Sequence, residues 1–99
     1  MTLRLWIQPE AESDIENTFR WYEEQRVGLG HEFLLALEAS LQHVRRYPYS
    51  KPKIHHELRR TLLRRFPYGV FYLLAERALV VVACFHCRRD PRWMLAQRA

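Results

Sequence analysis

The sequence predicts a two-layer α+β domain in which a helical hairpin packs on one face of a curved antiparallel sheet, in the order β-α-α-β-β-β. Two observations carry this prediction. Apolar residues recur with a helical period in the first half of the chain, and short apolar runs separated by turn residues fill the second half. The 99 residues, 48% of them hydrophobic, are sufficient to bury one modest core. Residues 1–99 are therefore predicted to form a single domain.

The first half of the chain is predicted to form a strand and two helices. Residues 2–7 are rich in aliphatic and aromatic side chains, which favours a strand. Pro9 suits a first helical turn because its missing N–H group would be unpaired there. The buried stripe of this helix comprises Ala11, Ile15, Thr18, Phe19 and Tyr22. A turn at Gly28 and Gly30 then precedes a second helical period over residues 33–44, which should end before Pro48.

The second half is predicted to form a three-stranded antiparallel meander after a loop over residues 49–56. Residues 58–66 mix leucine with arginine, residues 70–74 are apolar, and residues 79–85 form an unbroken apolar run typical of a central strand. Residues 75–78 fit a hairpin turn. Asp90 and Pro91 resemble a helix start, so one or two short helical turns are expected over residues 92–98.

Cysteine usage and hydropathy favour a cytoplasmic protein. Cys84 and Cys87 are too few and too close together for the disulfide framework of a secreted mini-protein. The apolar run over residues 78–85 is far shorter than the roughly 20 residues that a membrane helix needs. No contact with a membrane and no export are therefore expected.

A metal site and a cofactor are not expected. The candidate ligands for zinc are Cys84, His86, Cys87, His55 and His56. Their spacing matches no zinc finger or ribbon, and strand alternation should direct Cys84 and Cys87 to opposite faces. Four large aromatic residues on the apolar stripes are instead predicted to belong to the core, namely Trp6, Trp21, Tyr22 and Phe33.

The net charge of +5 conceals an asymmetry between the two halves of the chain. Residues 1–44 carry three arginines and eight acidic groups, a net charge of −5, whereas residues 45–99 carry thirteen basic and three acidic groups, a net charge of +10. A basic half favours a polyanion or an acidic partner protein, since clustered charge steers association. A solvated face that keeps the protein in solution explains the same composition.

Five segments along almost the whole chain have a specific order and spacing. They are Ala11-x-x-Asp14-Ile15, Trp21-Tyr22-Glu23, Gly28-Leu29-Gly30-x-x-Phe33, Arg65-Phe66-Pro67-Tyr68-x-Val70-x-Tyr72 and Phe85-His86-x-Arg88-Arg89-Asp90-Pro91-x-Trp93. Together they resemble the RelE/ParE superfamily of toxins. The resemblance implies a bacterial protein that arrests growth when free and is silenced by a cognate antitoxin encoded beside it. It also implies that the antitoxin, and not the toxin, makes the contacts to DNA.

The superfamily implied by this resemblance contains two activities of different kinds. One is inhibition of DNA gyrase without chemistry, as in the ParE branch, and the other is cleavage of messenger RNA on the ribosome. Gly69 stands where the similar ribonucleases carry a phosphate-stabilising arginine, and the chain continues through Cys87 instead of ending on a tyrosine. These departures favour gyrase inhibition. The alternatives are a ribosome-dependent endoribonuclease and a degenerate toxin that retains only antitoxin binding.

A ribonuclease would need a proton acceptor, a cation at the phosphate and a proton donor. The residues available for these roles are His86, Arg65, Arg88 and Arg89. His86 has an imidazole, the side chain most often used as a general acid or base. A histidine held by hydrogen bonds as part of the framework is the simpler interpretation of the same position.

A basic strip is the candidate effector surface. Its predicted members are Arg59, Arg60, Arg64, Arg65, Arg88, Arg89 and Trp93. The first four are predicted to lie on one strand, where alternation sends Arg60 and Arg64 to one side. Long arginine stems that merely cover a sheet edge are the structural alternative. The arginines at positions 88 and 89 follow a strand end, where sites usually lie, and the terminal Trp93 offers an aromatic anchor.

The acidic first half offers a candidate surface for the antitoxin. The resemblance implies that an antitoxin wraps the toxin with an extended segment and a helix, which would use the helical hairpin and a free sheet edge. The candidate contacts to a basic antitoxin are Glu16, Glu23, Glu24, Glu32 and Glu38. An ordinary solvated helix face explains these residues equally well.

Overall fold

The computed structural model describes the backbone of residues 3–90 and 92–98, and their side chains except those at positions 93–95. Within these residues the chain forms three helices and five strands. The helices are α1 (Pro9–Gln25), α2 (Leu29–Arg46) and α3 (Arg92–Arg98). The strands are β1 (Arg4–Ile7), β2 (Lys53–His55), β3 (Leu58–Leu62), β4 (Tyr68–Ala75) and β5 (Ala78–His86). A helical hairpin on a sheet confirms the predicted α+β class.

The sheet is mixed, so the prediction of an antiparallel sheet was wrong. The strand order is β1-β5-β4-β3-β2, and β1 pairs in parallel with β5. A parallel neighbour requires a long crossover, so no local turn in the sequence indicates it. The predicted loop over residues 49–56 contains β2, which pairs with β3 through a register shift between Lys53 and His55. The β3-β4-β5 meander itself is confirmed.

The turn between α1 and α2 is confirmed, and its two glycines serve different purposes. Gly28 has φ of +91°, in the left-handed region that other residues rarely adopt. Gly30 lies inside the first turn of α2, where an added Cβ would lie 2.6 Å from Cγ of Glu23 and 2.7 Å from the carbonyl oxygen of Phe19. The second glycine therefore allows the two helices to approach closely.

Helices α1 and α2 cover one face of the sheet, which we term the helix face. Its core comprises Ala11, Phe33, Leu37, Leu41, Val44, Leu63, Phe66, Val70, Tyr72, Leu79, Val81 and Cys84. The opposite face, which we term the terminal face, carries a second cluster made of Leu58, Phe71, Val82, Ala83 and Phe85. Helix α3 contacts β5, and its last residue, Arg98, lies over the Phe85 ring. The strand β5 is therefore covered on both faces, as predicted.

Two of the aromatic residues predicted as core are exposed. Trp6 is 64% exposed and Trp21 is 55% exposed, whereas Phe33 is fully buried. Trp6 lies on the edge strand β1 and alternates with Leu5, whose register partner Leu79 belongs to the helix-face core. Its side chain therefore points away from the helices. Trp21 is adjacent in sequence to the half-buried stripe residue at position 22. One residue corresponds to a rotation of about 100° around a helix, so Trp21 lies off the buried stripe.

The hydroxyl group of Tyr72 is the basis of a stability prediction. It is buried and has no hydrogen-bond partner among the described residues, and burial raises the phenol pKa. An unpaired buried hydroxyl costs about 1–3 kcal/mol. We expect Tyr72→Phe to raise the free energy of unfolding by about 1 kcal/mol in urea denaturation, and the exposed Tyr47→Phe to change it by less than about 0.5 kcal/mol. Destabilisation by Tyr72→Phe would show that the hydroxyl has a partner.

Candidate effector face and docking groove

The predicted basic strip is divided between the two faces of the sheet. Strand β3 ends at Leu62, so the prediction that Arg64 and Arg65 lie on this strand was wrong. They lie in the turn before β4, where Arg65 has φ of +70°. On the strand itself, Arg59 pairs with Tyr72 of the helix-face core and Arg60 pairs with a residue of the terminal-face cluster. The two strand arginines therefore project to opposite faces.

Arg59 has a structural role at the sheet edge. Its guanidinium donates a hydrogen bond to the carbonyl oxygen of Lys51 and lies 5.3 Å from the centre of the Tyr49 ring. These contacts hold the segment that leads into β2. The stem of this arginine thus covers the sheet edge, as the structural alternative anticipates.

Arg60 and Arg89 lie over adjacent positions of the terminal face. An added Cβ at Gly69 would lie 3.1 Å from Cδ of Arg60, so the stem of Arg60 covers this glycine. Gly69 pairs with Phe85, and the guanidinium of Arg89 lies 4.6 Å from the centre of the Phe85 ring. We term Arg60, Arg89 and helix α3 the effector face. The predicted Trp93 belongs to α3, but its side chain lies outside the described residues.

His86 lies on the helix face. Its ring centre is 5.2 Å from that of Tyr68, which packs against the helix-face core. Its Nδ1 atom accepts a hydrogen bond of 3.0 Å from the backbone N–H of Arg88, so the neutral imidazole carries its proton on Nε2. Because Phe85 precedes it on a strand, the guanidinium that stacks on Phe85 lies on the other side of the sheet. The side chain of Arg88 is exposed.

Glu32 holds the turn before β4 against the start of α2. One carboxylate oxygen lies 3.0 Å from Nη2 of Arg65 and the other lies 3.0 Å from Nη2 of Arg26. The hydrogen bond from Arg65 is the main cause that lowers the pKa of this carboxyl. Arg65 is thus bound to an acidic residue, at the start of α2, and not to the imidazole of His86.

A groove of about 740 Å³ lies between α2 and β3. Leu35, which is 66% exposed, lines it from α2. Leu62 borders it at the end of β3, but its side chain is directed to the terminal face, where Cδ2 lies 3.5 Å from an added Cβ at Gly69. The other lining residues are Glu32, Ala36, Ala39, Ser40, His43, Lys51, Thr61, Arg64 and Arg65. Large apolar side chains left exposed in a concave surface mark an interaction site. We term this concavity the α2/β3 groove.

The acidic residues predicted to contact an antitoxin occupy different settings. Glu23 accepts a hydrogen bond of 2.8 Å from the backbone N–H of Gly30, and a hydrogen bond from the Gly28 N–H group is the main cause that lowers its pKa. It therefore caps the start of α2. Glu16 forms an exposed pair with its helix neighbour at position 20, and Glu32 forms the contacts described above. The remaining two, Glu24 and Glu38, are exposed.

The groove leucines are absent from the residues predicted from the sequence. Leu35 falls between the half-buried Leu34 and the buried Leu37, where an extra leucine widens the apolar stripe beyond what the core uses. That excess was the available indication of a binding surface. Leu62 offered no such indication because it ends a short strand that reads Leu-Arg-Arg-Thr-Leu.

The two cysteines differ in reactivity. Cys84 is buried and Cys87 is exposed, and burial raises the pKa of the Cys84 thiol to about 12. Since the thiolate is the reactive form, a thiol reagent at pH 8 should modify one cysteine in the folded protein and two in denaturant. In Cys87→Ser the folded protein should not react. Rapid labelling of both cysteines in the folded protein would contradict the burial of Cys84.

The arrangement has the fold of a toxin of a type II toxin–antitoxin system. A solved structure described as the chromosomal ParDE TA system from P. aeruginosa superposes with a TM-score of 0.75 at 10% identity, covering 86% of this chain and 96% of that chain. No curated protein sequence matches significantly. The family profile described as ParE toxin of type II toxin-antitoxin system, parDE, matches residues 6–91. The chain therefore belongs to the ParE toxin family, which confirms the resemblance. Among the described residues, no helix is long and apolar enough to span a membrane.

Proposed function

We propose that this toxin inhibits DNA gyrase by binding it through the effector face, without cleaving RNA. The observation that carries the proposal is the separation of His86 from Arg89 and Arg65, two of the three cations that the sequence offers for cleavage. Acid–base cleavage requires a proton donor and a cation at the same phosphate. The guanidinium of Arg89 lies across the sheet from His86, and that of Arg65 is bound to Glu32.

The covering of Gly69 supports the same proposal. The resemblance implies that ribonucleases of this superfamily place an arginine at this position. Here the position has no side chain, and the stem of Arg60 fills the space where one would begin. The cation of Arg60 thus joins Arg89 on the terminal face. Two adjacent cations on one face favour an acidic surface of a protein partner.

The antitoxin is proposed to dock in the α2/β3 groove. Membership of a toxin–antitoxin family supports such a partner. Leu35 and the neighbouring Ala39 of α2 would bury apolar side chains of the antitoxin, and Lys51 and Arg64 would face its carboxylates. The chemistry of the groove therefore favours an amphipathic segment with aliphatic anchors and acidic residues. The exposed carboxylates of Glu24 and Glu38 would add contacts to basic residues of the antitoxin.

Inducible expression in bacteria tests the proposed target. We expect growth to stop as plasmid supercoiling is lost while messenger RNA stays intact. His86→Ala should arrest growth as strongly as the wild type, and the double variant Arg60→Ala/Arg89→Ala should not. Cleavage of messenger RNA that His86→Ala abolishes would establish the ribonuclease alternative. Normal growth with folded wild-type protein would indicate the degenerate toxin.

Co-expression of the antitoxin encoded beside the toxin tests the groove. In Leu35→Asp/Ala39→Asp, which changes two exposed groove residues of α2, the toxin should still arrest growth, but the antitoxin should no longer rescue it, since buried carboxylates would replace apolar anchors. The matched control is Val27→Asp, which changes an apolar side chain that is 89% exposed outside the groove and should leave rescue intact. Full rescue of the double variant would exclude the groove as the antitoxin site.

A further inference from the structure

We propose that Asp14 and Arg98 are positioning residues that fasten helix α3 to the edge of β5. Asp14 lies on α1 and Arg98 is the last residue of α3. Nη1 of Arg98 lies 2.6 Å from Oδ2 of Asp14, and Nη2 lies 3.3 Å from Oδ1. The pair thus joins the first helix to the last helix. The functional part of this inference rests on the proposed role of α3 in the effector face.

The pair continues the hydrogen bonding of the sheet where β1 stops. The parallel pairing ends with Ile7 opposite Val81, and the N–H of Gln8 donates to the Val81 carbonyl at 3.0 Å. Further along β5, the N–H of Cys84 donates to Oδ2 of Asp14 at 3.1 Å, and Nη1 of Arg98 donates to the carbonyl oxygen of Val82 at 3.3 Å. Two side chains therefore occupy the place of a strand, satisfying backbone groups that an exposed edge leaves open.

A bulge in β5 creates this position. Phe71 pairs with Ala83 and Tyr72 pairs with Val81, which leaves Val82 without a partner on β4. The bulge changes which residues of β5 turn their N–H and C=O groups toward the open edge of the strand. Before the bulge these are odd-numbered positions, such as 81, and after it they are even-numbered positions, such as 84. The carboxylate of Asp14 then meets an N–H group and the guanidinium meets a carbonyl group.

The pair is shielded from solvent, which distinguishes it from the surface ion pairs of this protein. The side chains of Asp14 and Arg98 are 13% and 14% exposed. The guanidinium also lies 5.1 Å from the centre of the Phe85 ring. Breaking a shielded pair leaves a charge without compensation, whereas an exposed pair contributes little. The pair is therefore a strong attachment for a short element.

Helix α3 depends on this attachment because it is short. Its seven residues are too few to form a stable helix alone. Arg89, three residues before α3, and Arg98, its last residue, both lie over the ring of Phe85, so the contacts of the segment converge on one sheet position. Loss of the Asp14 contact should free the end of α3 while the helical hairpin stays packed.

The test combines hydrogen exchange with gyrase inhibition in the full-length protein. In Asp14→Asn and Arg98→Ala, amides of α3 should exchange at least roughly tenfold faster, while those of α2 stay unchanged. In Arg98→Lys, which keeps the charge, the exchange rates of the α3 amides should lie between those of these two variants and those of the wild type. The charge exchange Asp14→Arg/Arg98→Asp should not restore the protection, because it would set a guanidinium against the Cys84 N–H group and a carboxylate against the Val82 carbonyl. The matched control is Glu16→Gln, which removes an exposed ion pair from α1 and should change nothing.

The outcomes separate this inference from the proposed function. Unchanged exchange of α3 in Asp14→Asn and Arg98→Ala would overturn the fastening. If α3 is released, the concentration for half-inhibition of gyrase supercoiling should rise at least roughly tenfold, about 1.4 kcal/mol of binding free energy. Unchanged inhibition with a released helix would overturn the role of the pair in positioning. Lack of gyrase inhibition by the wild type would refute the proposed function and leave the fastening supported by exchange.

Discussion

Phe33→Ala is expected to lower the free energy of unfolding by about 3–5 kcal/mol, since this truncation leaves a cavity in a packed core. Phe33 is fully buried on α2. Its ring centre lies 5.7 Å from that of Tyr22, 5.7 Å from that of Phe66 and 5.6 Å from that of Tyr68. The substitution therefore removes the ring that joins both helices to the turn before β4.

Urea denaturation monitored by circular dichroism measures this effect. The matched control is Leu35→Ala on the same helix, whose side chain is largely exposed and should cost less than about 1 kcal/mol. The difference between the two variants isolates burial from helix propensity, since both substitutions introduce alanine. A cost for Phe33→Ala no larger than that for Leu35→Ala would contradict the described core.

Gly30→Ala is expected to destabilise the protein by about 1–3 kcal/mol through overpacking. The new methyl group would lie 2.6 Å from Cγ of Glu23, 2.7 Å from the backbone oxygen of Phe19 and 2.8 Å from Cδ1 of Phe19. Helix propensity alone would favour alanine over glycine by about 1 kcal/mol. A net loss of stability in thermal unfolding therefore reports the close approach of α1 and α2.

Gly28→Ala provides a comparison in which only the backbone matters. Nothing lies within 4 Å of an added Cβ there, but φ is +91°. The expected cost is about 1 kcal/mol or more from the left-handed conformation. Gly28→Asn should cost less, because asparagine tolerates this region better than alanine does. Stabilisation by Gly30→Ala would contradict the helix-to-helix distance that the structure shows.

The helices and the meander could be predicted because their information is local. The apolar period of α2, the proline after its end and the turn before β5 each reside within a few residues. The parallel pairing of β1 with β5 depends instead on residues more than 70 positions apart. The strand β2 is only three residues long, and it was concealed because Lys51 and Pro52 directly before it are typical of a loop. These features arise from packing of distant segments, which no local pattern encodes.

The candidate site was predicted in part. The sequence places Arg88 and Arg89 just beyond the end of β5, and their role stays a prediction. The contacts of Arg59 and Arg65 could not be predicted because their partners lie in other elements. The turn that removes Arg64 from β3 forms because Phe66 is buried and the N–H of Leu63 donates to Tyr68. Such tertiary contacts override the alternation that a strand would impose.

The role of Asp14 illustrates the same limit. The residue stands in one of the segments that carry the family resemblance, yet α1 places it among other acidic residues that are merely solvated. Its distinguishing feature is an arginine 84 positions later in the chain. The motif that contains Asp14 does not identify that partner, because the contact depends on the bulge in β5 and on the packing of α3 against that strand.

The most direct test of the central claim is a supercoiling assay with purified toxin, DNA gyrase and relaxed plasmid. Wild-type protein and His86→Ala should inhibit supercoiling at the same concentration, while Arg60→Ala/Arg89→Ala should require at least roughly tenfold more protein, as expected for loss of two charged contacts. Hydrogen exchange of α2 in each variant verifies the fold. Undiminished supercoiling at saturating concentrations of folded wild-type toxin would contradict the account.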